Sequence, residues 1–243
     1  MAMSRDPLGP VTTRDPIGPT LGHESLAPSA SIAAEPPKSR RYRGQSPEER
    51  RELRRRRLLD TGLELFGTVG YQHTSVERLC SASGVTGRHF YEEFASREAL
   101  LGAVYDEIMT FCLDAVIAAV DEAAPDADKV IAAGVGTYVR LMLADQRRAR
   151  VATIEVMGVG GAVDIYRRGQ ALRFADYMRT VADRMISEGA PIFGHDITPI
   201  ALVGAIHELI RSRITSSDAD SPGIDAIADE AIRIVRTVAR APG

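Results

Sequence analysis

The sequence predicts an all-α protein: an N-terminal three-helix domain with a helix-turn-helix at its centre, followed by a larger helical body. Three observations carry that prediction. Capping signatures led by serine or threonine recur just ahead of apolar runs. Within those runs apolar residues return at spacings of three and four, and no segment alternates with period two for long enough to make a strand. The chain has 243 residues, more than one small module needs, and 44% are apolar, so a substantial core is available without any Trp.

Taken in order, residues 1–37 hold seven of the thirteen prolines and few large apolar side chains, a composition that predicts disorder. Arg5-Asp6-Pro7-Leu8-Gly9-Pro10 returns as Arg14-Asp15-Pro16-Ile17-Gly18-Pro19. A tandem duplication in an unconstrained tail accounts for this, with a docking motif as the alternative. Residues 1–45 are read as a Pro-rich and basic tail. Ser46-Pro47-Glu48-Glu49 then sets a serine N-cap, a proline at the first helical position and a glutamate three residues on. The helix it opens carries Leu59, Gly62, Leu63 and Phe66 on one face and stops at Gly70. Thr74-Ser75-Val76-Glu77 reads as a second capping box, with Thr74 as cap of a short helix that ends near Ser83. Gly84 breaks it, and a third short helix runs from Thr86 to about Glu93. Ser96 caps a long helix with Leu101, Val104, Tyr105, Ile108, Phe111 and Cys112 on one face, closed by Pro125. Five further helices are predicted at about 126–144, 145–157, 162–188, 196–215 and 222–240. Asp196, next to His195, is expected to cap the fourth of these.

Charge and motif content narrow the function. Net charge is only −3, but residues 38–97 hold 13 Lys/Arg against 8 Asp/Glu, while residues 98–243 hold 15 against 21. A basic block ahead of an acidic body suits a protein that presents one end to a polyanion. Cys80 and Cys112 are the only cysteines, too few for a disulfide framework or a zinc set, which favours a reducing compartment. No uncharged apolar run reaches the ~18 residues of a membrane helix. The N-terminal residues show no secretory signal pattern. The chain has no H-E-x-x-H, no G-x-S-x-G and no dinucleotide fingerprint. Gly158-Val159-Gly160-Gly161 lacks the lysine and strand of a phosphate-binding loop. No catalytic residue, metal or cofactor is therefore expected.

Residues 74–94 carry the function. Two short helices meet at Gly84, whose expected left-handed backbone a Cβ would penalise. Val76, Leu79, Val85 and Phe90 are spaced to pack the pair on the first helix. The outer face of the second short helix is then left for a DNA major groove ~12 Å wide. Arg40, Arg41 and Arg43 form a basic arm suited to phosphate or minor-groove contact. Arg54 to Arg57 circle the first helix and are read two ways, as DNA contacts or as a solvated face.

From Leu58 to Tyr105 the chain resembles the N-terminal domain of the TetR family of regulators. The resemblance rests on Leu63-x-Leu65-Phe66, Gly70-Tyr71, Thr74-Ser75-Val76, Gly84-Val85, Phe90-Tyr91-x-x-Phe94 and Glu98-Ala99-Leu100-Leu101. It implies a DNA-binding domain over 46–105 and a helical ligand-binding and dimerisation domain over 106–243. It also implies a cytoplasmic, nucleoid-associated homodimer on a palindromic operator, usually a repressor that a small-molecule effector releases. Mapped residue by residue, it places Thr86, Gly87, Arg88, His89 and Tyr91 on the groove-facing surface. Thr74 and Ser75 would meet a phosphate through backbone N–H groups and hydroxyls, and Arg97 would be a basic phosphate contact. Glu92 and Glu93 depart from the family pattern, which has basic or aromatic residues there. Either they repel phosphate or one of them accepts from a cytosine amino group.

The body offers two further expectations. Ile224, Ile227, Ala228, Ala231, Ile232 and Val235 make a stripe on the last helix, and the helix before it adds Ala201, Gly204 and Ala205 for close approach. The stripes read either as monomer core or, as favoured here, as a four-helix dimer interface over about 196–240. An effector pocket is expected among Tyr105, Phe111, Tyr138 and Met142, together with Met157, Tyr166, Phe174 and Tyr177; each is also readable as plain core. His207 reads as a hydrogen-bonded structural histidine. A different function class stays open: a helical ligand-binding or interaction protein with weak or lost DNA binding, supported by Glu92-Glu93.

Overall fold

The computed structural model describes residues 46–186, 198–216 and 221–240. The Pro-rich tail, the arm with Arg40, Arg41 and Arg43, and the His195-Asp196 pair lie outside the described residues. Among the described residues every regular element is helical: α1 (Pro47–Thr68), α2 (Val76–Ser83), α3 (Gly87–Glu93), α4 (Arg97–Ala123), α5 (Ala127–Ala144), α6 (Gln146–Arg150), α7 (Gly161–Ile186), α8 (Thr198–Thr215) and α9 (Ile224–Ala239).

The helices begin where side chains can take up otherwise unpaired backbone donors. Ser46 and Glu49 make a reciprocal capping box, the Glu49 N–H donating to Ser46 Oγ and the Ser46 N–H to Glu49 Oε2. Ser96 caps α4 by accepting the Ala99 N–H, and Asp126 caps α5 by accepting the Lys129 N–H. The second capping box expected from the sequence does not form, and the cap of α2 lies one residue later. Ser75, not Thr74, caps α2, because the buried Thr74 hydroxyl already donates to the Gly70 carbonyl at 2.8 Å. Gly84 sits at φ +66°, ψ 23°, the left-handed conformation that turns the chain from α2 into α3.

The expected helix over 145–157 is divided. α6 ends at Arg150 and runs on into a π-helical turn, Val151–Glu155. This wider turn buries Val151, Ala152 and Thr153 together, and the Thr153 hydroxyl donates to the Ala149 carbonyl. Such turns recur at functional sites in other helical proteins.

α4 organises the molecule. It packs against α1 in its first half and against α5 and α7 along its length, while α9 lies on α5 and α8 on α7. One hydrophobic cluster runs from Leu58, Phe66 and Phe90 through Tyr105 and Val139 to Ile210 and Val235. α1 also approaches α6 so closely at Gly67 that a Cβ there would collide with Arg147.

α9 corrects one expectation. Ile227, Ala228, Ala231, Ile232 and Val235 are buried inside the chain, with Ile232 over Gly136 of α5. Apart from the exposed Ile224, the α9 stripe completes the monomer core. Exposed apolar positions remain on α8, at Ile200, Ala201, Gly204 and Ala205, and at Ile224 where α9 begins.

Candidate nucleic-acid interface and effector cavity

α2 and α3 are held against α1 by their inner faces. Leu79, Val85, Phe90 and Phe94 are buried there, with the Phe90 and Phe94 ring centroids 6.2 Å apart. α1 contributes charge to this joint as well as hydrocarbon. Glu93 at the end of α3 has a side chain only 1% exposed and pairs with Arg51 at 3.2 Å and Arg54 at 3.7 Å. Arg55 donates to the Glu93 carbonyl and lies 4.6 Å over the Phe94 ring. Arg56 pairs with Asp60 and with Glu107 of α4. Three of the four residues Arg54–Arg57 therefore knit the domain together, and Arg57 is exposed.

This packing decides which way α3 faces. Arg88 is 87% exposed on its side chain and Tyr91 is 60% exposed; Thr86, Gly87 and Glu92 lie on the same outer surface, and His89 is half-buried beside them. Thr86 caps α3, accepting the His89 N–H, and its hydroxyl lies 3.1 Å from His89 Nδ1. Glu92 accepts from Arg88 Nε at 3.1 Å, one helical turn away, so the guanidinium is pre-aimed across the outer face. The two glutamates are thus different in kind: Glu92 lies on the outer surface and Glu93 is buried against α1.

The residues expected around the α2 N-terminus divide as well. Ser75 is exposed, and the first backbone N–H groups of α2 open beside it. Thr74 is fully buried. The Arg97 guanidinium donates to the carbonyls of Tyr71 and Thr74 at 3.3 and 2.9 Å and stacks 4.0 Å from the Tyr71 ring centroid. Its position locks the turn before α2 to the start of α4. The Tyr71 hydroxyl donates to Glu98, which holds that carboxyl below the usual range. Arg43 lies outside the described residues.

Residues 58–104 match the family model of bacterial regulatory proteins of the TetR family. The N-terminal domain belongs to the TetR family. TcmR of Streptomyces glaucescens, an HTH-type transcriptional regulator, is 48% identical over 50 residues, which span 20% of this chain and 22% of that protein. The whole architecture also resembles solved regulators. The fatty acid degradation regulator FadR from Bacillus halodurans aligns with TM-score 0.68 and 14% identity over 82% of this chain and 99% of its own. FadR from Bacillus subtilis, solved in complex with stearoyl-CoA, gives 0.65 and 16% over 74% and 96%.

The TetR-type domain is tied to the body through a carboxylate that sequence reading did not single out. Glu155, on the π-helical turn, accepts the Tyr71 backbone N–H and also the Arg150 Nε at 2.7 Å. Arg150 in turn donates to the Thr68 carbonyl at the end of α1. A single carboxylate within Val151-Ala152-Thr153-Ile154-Glu155-Val156 was the available signal.

The body behind the TetR-type domain holds a half-open apolar cavity of about 140 Å³ between α4, α5, α7, α8 and α9. Of the eight residues expected around an effector, Tyr138, Phe174 and Tyr177 line it. Tyr105 and Met142 are buried in the core elsewhere. Phe111, Met157 and Tyr166 lie at the surface, Phe111 beneath the Arg148 guanidinium and Tyr166 across Gly102. Aromatic residues attracted the expectation because pockets favour them, yet most of this wall is aliphatic, supplied by Val116, Val130, Ile131 and Val203 among others.

Proposed function

We propose that the chain is a sequence-specific DNA-binding transcriptional regulator, acting as a homodimer on a palindromic operator and released from it by a small-molecule effector. The observation that carries this reading is the outer face of α3, where Arg88, His89 and Tyr91 stand clear of the core on a helix fixed from behind by Glu93 and Phe94. Arg88 suits a guanine edge, and His89 and Tyr91 suit bases or phosphates. Ser75 and the N-terminal N–H groups of α2 receive a phosphate. Thr86 and Gly87 sit at the α3 N-terminus, where close approach to the backbone of DNA needs small side chains.

The effector part of the proposal is supported by the half-open apolar cavity and by the fold shared with Bacillus subtilis FadR, which was solved with stearoyl-CoA. The dimer is supported by the exposed apolar face of α8. Among the described residues no helix is long and apolar enough to cross a membrane. We place the regulator in the cytoplasm at the nucleoid, and we assign it no catalytic role. The alternative of an interaction protein without DNA binding rested on two glutamates facing DNA; the burial of Glu93 leaves it with one.

A fluorescence-anisotropy titration tests the reading. Full chain is added to DNA from upstream of its own gene and of neighbouring genes, and to scrambled DNA, at two salt concentrations. Selective binding of two protomers per site, weakened steeply by salt, is the expected result. Equal and weak binding to every DNA would overturn it.

A further inference from the structure

Two side chains on the outer face of α3 are already joined. Glu92 Oε1 accepts from Arg88 Nε at 3.1 Å, and Glu92 Oε2 stands 3.9 Å from His89 Nε2, beyond hydrogen-bond reach. Among the described residues, neither that oxygen nor the two terminal nitrogens of Arg88 have a hydrogen-bond partner. With Glu93 turned into α1, Glu92 is the one carboxylate that α3 holds outward. An ion pair this exposed adds little to stability, and a carboxylate beside DNA repels phosphate. The unpaired atoms nevertheless make a pattern: two donors on Arg88 and, next to them, one acceptor on Glu92. In the major groove guanine offers two acceptors, N7 and O6, and cytosine offers one donor, its N4 amino group.

We propose that Arg88 and Glu92 read the operator as one unit. Arg88 forks onto the O6 and N7 of a guanine, while Glu92 holds the guanidinium in that pose and accepts, through its free oxygen, from the amino group of a cytosine on an adjoining base pair. The proposal rests on the reading of the chain as a sequence-specific DNA-binding regulator and gives its operator a base pattern. Because Glu92 occupies Nε, Arg88 is left with the end of its fork, whose two parallel donors fit the guanine edge. A guanidinium already tethered also loses less freedom on binding than one on a loose stem. Glu92 is thus both a positioning residue for Arg88 and a filter. Thymine, or a phosphate, offers acceptors alone, so it meets Arg88 but leaves the carboxylate desolvated without a donor. Selectivity is the gain and overall affinity the cost, since the negative charge stays near the phosphates whatever the sequence.

In vitro selection from a randomised duplex library tests this with the full chain and with Arg88→Ala, Glu92→Ala and Glu92→Gln, circular dichroism reporting that each variant folds. The parent is expected to enrich a half-site with a fixed guanine and a cytosine on the adjoining pair. Arg88→Ala should lose the guanine. Glu92→Ala should lose the cytosine and blur the guanine, leaving the other positions unchanged, which a merely structural residue would not do. Glu92→Gln should exchange the cytosine for adenine, the base that a carboxamide pairs with bidentately; it decides alone if the alanine variant does not fold. Anisotropy on the selected duplex gives the magnitudes. Replacing the guanine by adenine should weaken the parent about 5- to 150-fold and Glu92→Ala by less than about threefold. Scrambled DNA should bind Glu92→Ala more tightly than the parent. A half-site and base preference unaltered by Glu92→Ala or Glu92→Gln, or a guanine that survives Arg88→Ala, would overturn the proposal while leaving the regulator reading intact. No enriched sequence for the parent would overturn both.

Discussion

Glu155 accepts a hydrogen bond from the backbone N–H of Tyr71, 2.7 Å away, joining the π-helical turn of the body to the turn that precedes α2. The same carboxylate holds Arg150, which donates to the Thr68 carbonyl at the end of α1. The π-helical turn is thereby joined to both the end of α1 and the entrance to α2.

Glu155→Ala should separate the two halves of this linkage. It leaves the Tyr71 N–H and the Arg150 guanidinium without their acceptor, so urea denaturation should register a loss of about 1–3 kcal/mol. Operator affinity in the absence of effector should fall with it. Glu155→Gln, which can still accept from Tyr71, should recover most of the stability. Equal stability of the alanine variant and the parent would mean that the contact carries no energy.

The two glutamates of α3 should respond in opposite ways. Glu93→Ala removes the partner of Arg51 and Arg54 and is expected to lower stability by about 1–3 kcal/mol. Glu92→Gln frees Arg88 from its carboxylate and is expected to tighten DNA binding with little change in stability. Arg88→Ala should weaken operator binding by about 1–3 kcal/mol, with helical circular dichroism unchanged. Loss of helix in the Arg88 variant would show that the outer face has been misassigned.

Acid should act on His207 before it acts on most carboxylates. Its folded-state value of about 4 lies below the ordinary 6.5, so the unfolded chain binds a proton that the folded chain refuses. The stability contributed by neutral His207 is complete above pH 6.5 and is lost as pH falls from there to about 4. Tyr138 and Arg167 are the groups that act on it within the fold. Thermal melts across this range should decline more steeply for the parent than for His207→Gln; matching slopes would assign the acid sensitivity to other groups.

The outward face of α8 should govern assembly. Gly204 has open space where a Cβ would stand, and Ile200, Ala201 and Ala205 of the same helix are exposed with it. Gly204→Glu is expected to leave the monomer fold intact and to shift sedimentation from dimer to monomer, with operator affinity reduced accordingly. An unchanged sedimentation profile would move the interface away from α8.

Much of this protein was legible from local chemistry. Ser46, Ser96 and the 3–4 spacing of apolar residues determine helices whatever surrounds them, because caps and periodicity act within one or two turns of chain. Gly84 and the run from Leu58 to Tyr105 likewise announced the helix-turn-helix, and the resemblance put Arg88, His89 and Tyr91 on its outer face. What the sequence could not decide was which of several equivalent groups meets which partner across the fold. Glu92 and Glu93 are chemically identical neighbours, separated only because a 100° step around α3 turns one outward and the other into the arginines of α1. Thr74 lost its cap to Ser75 through a contact with Gly70, and the α9 stripe was claimed by α5 before any second copy could use it. The cavity is the clearest case. Its walls come from five helices, and a void is set by where packing fails to close, which no single segment encodes.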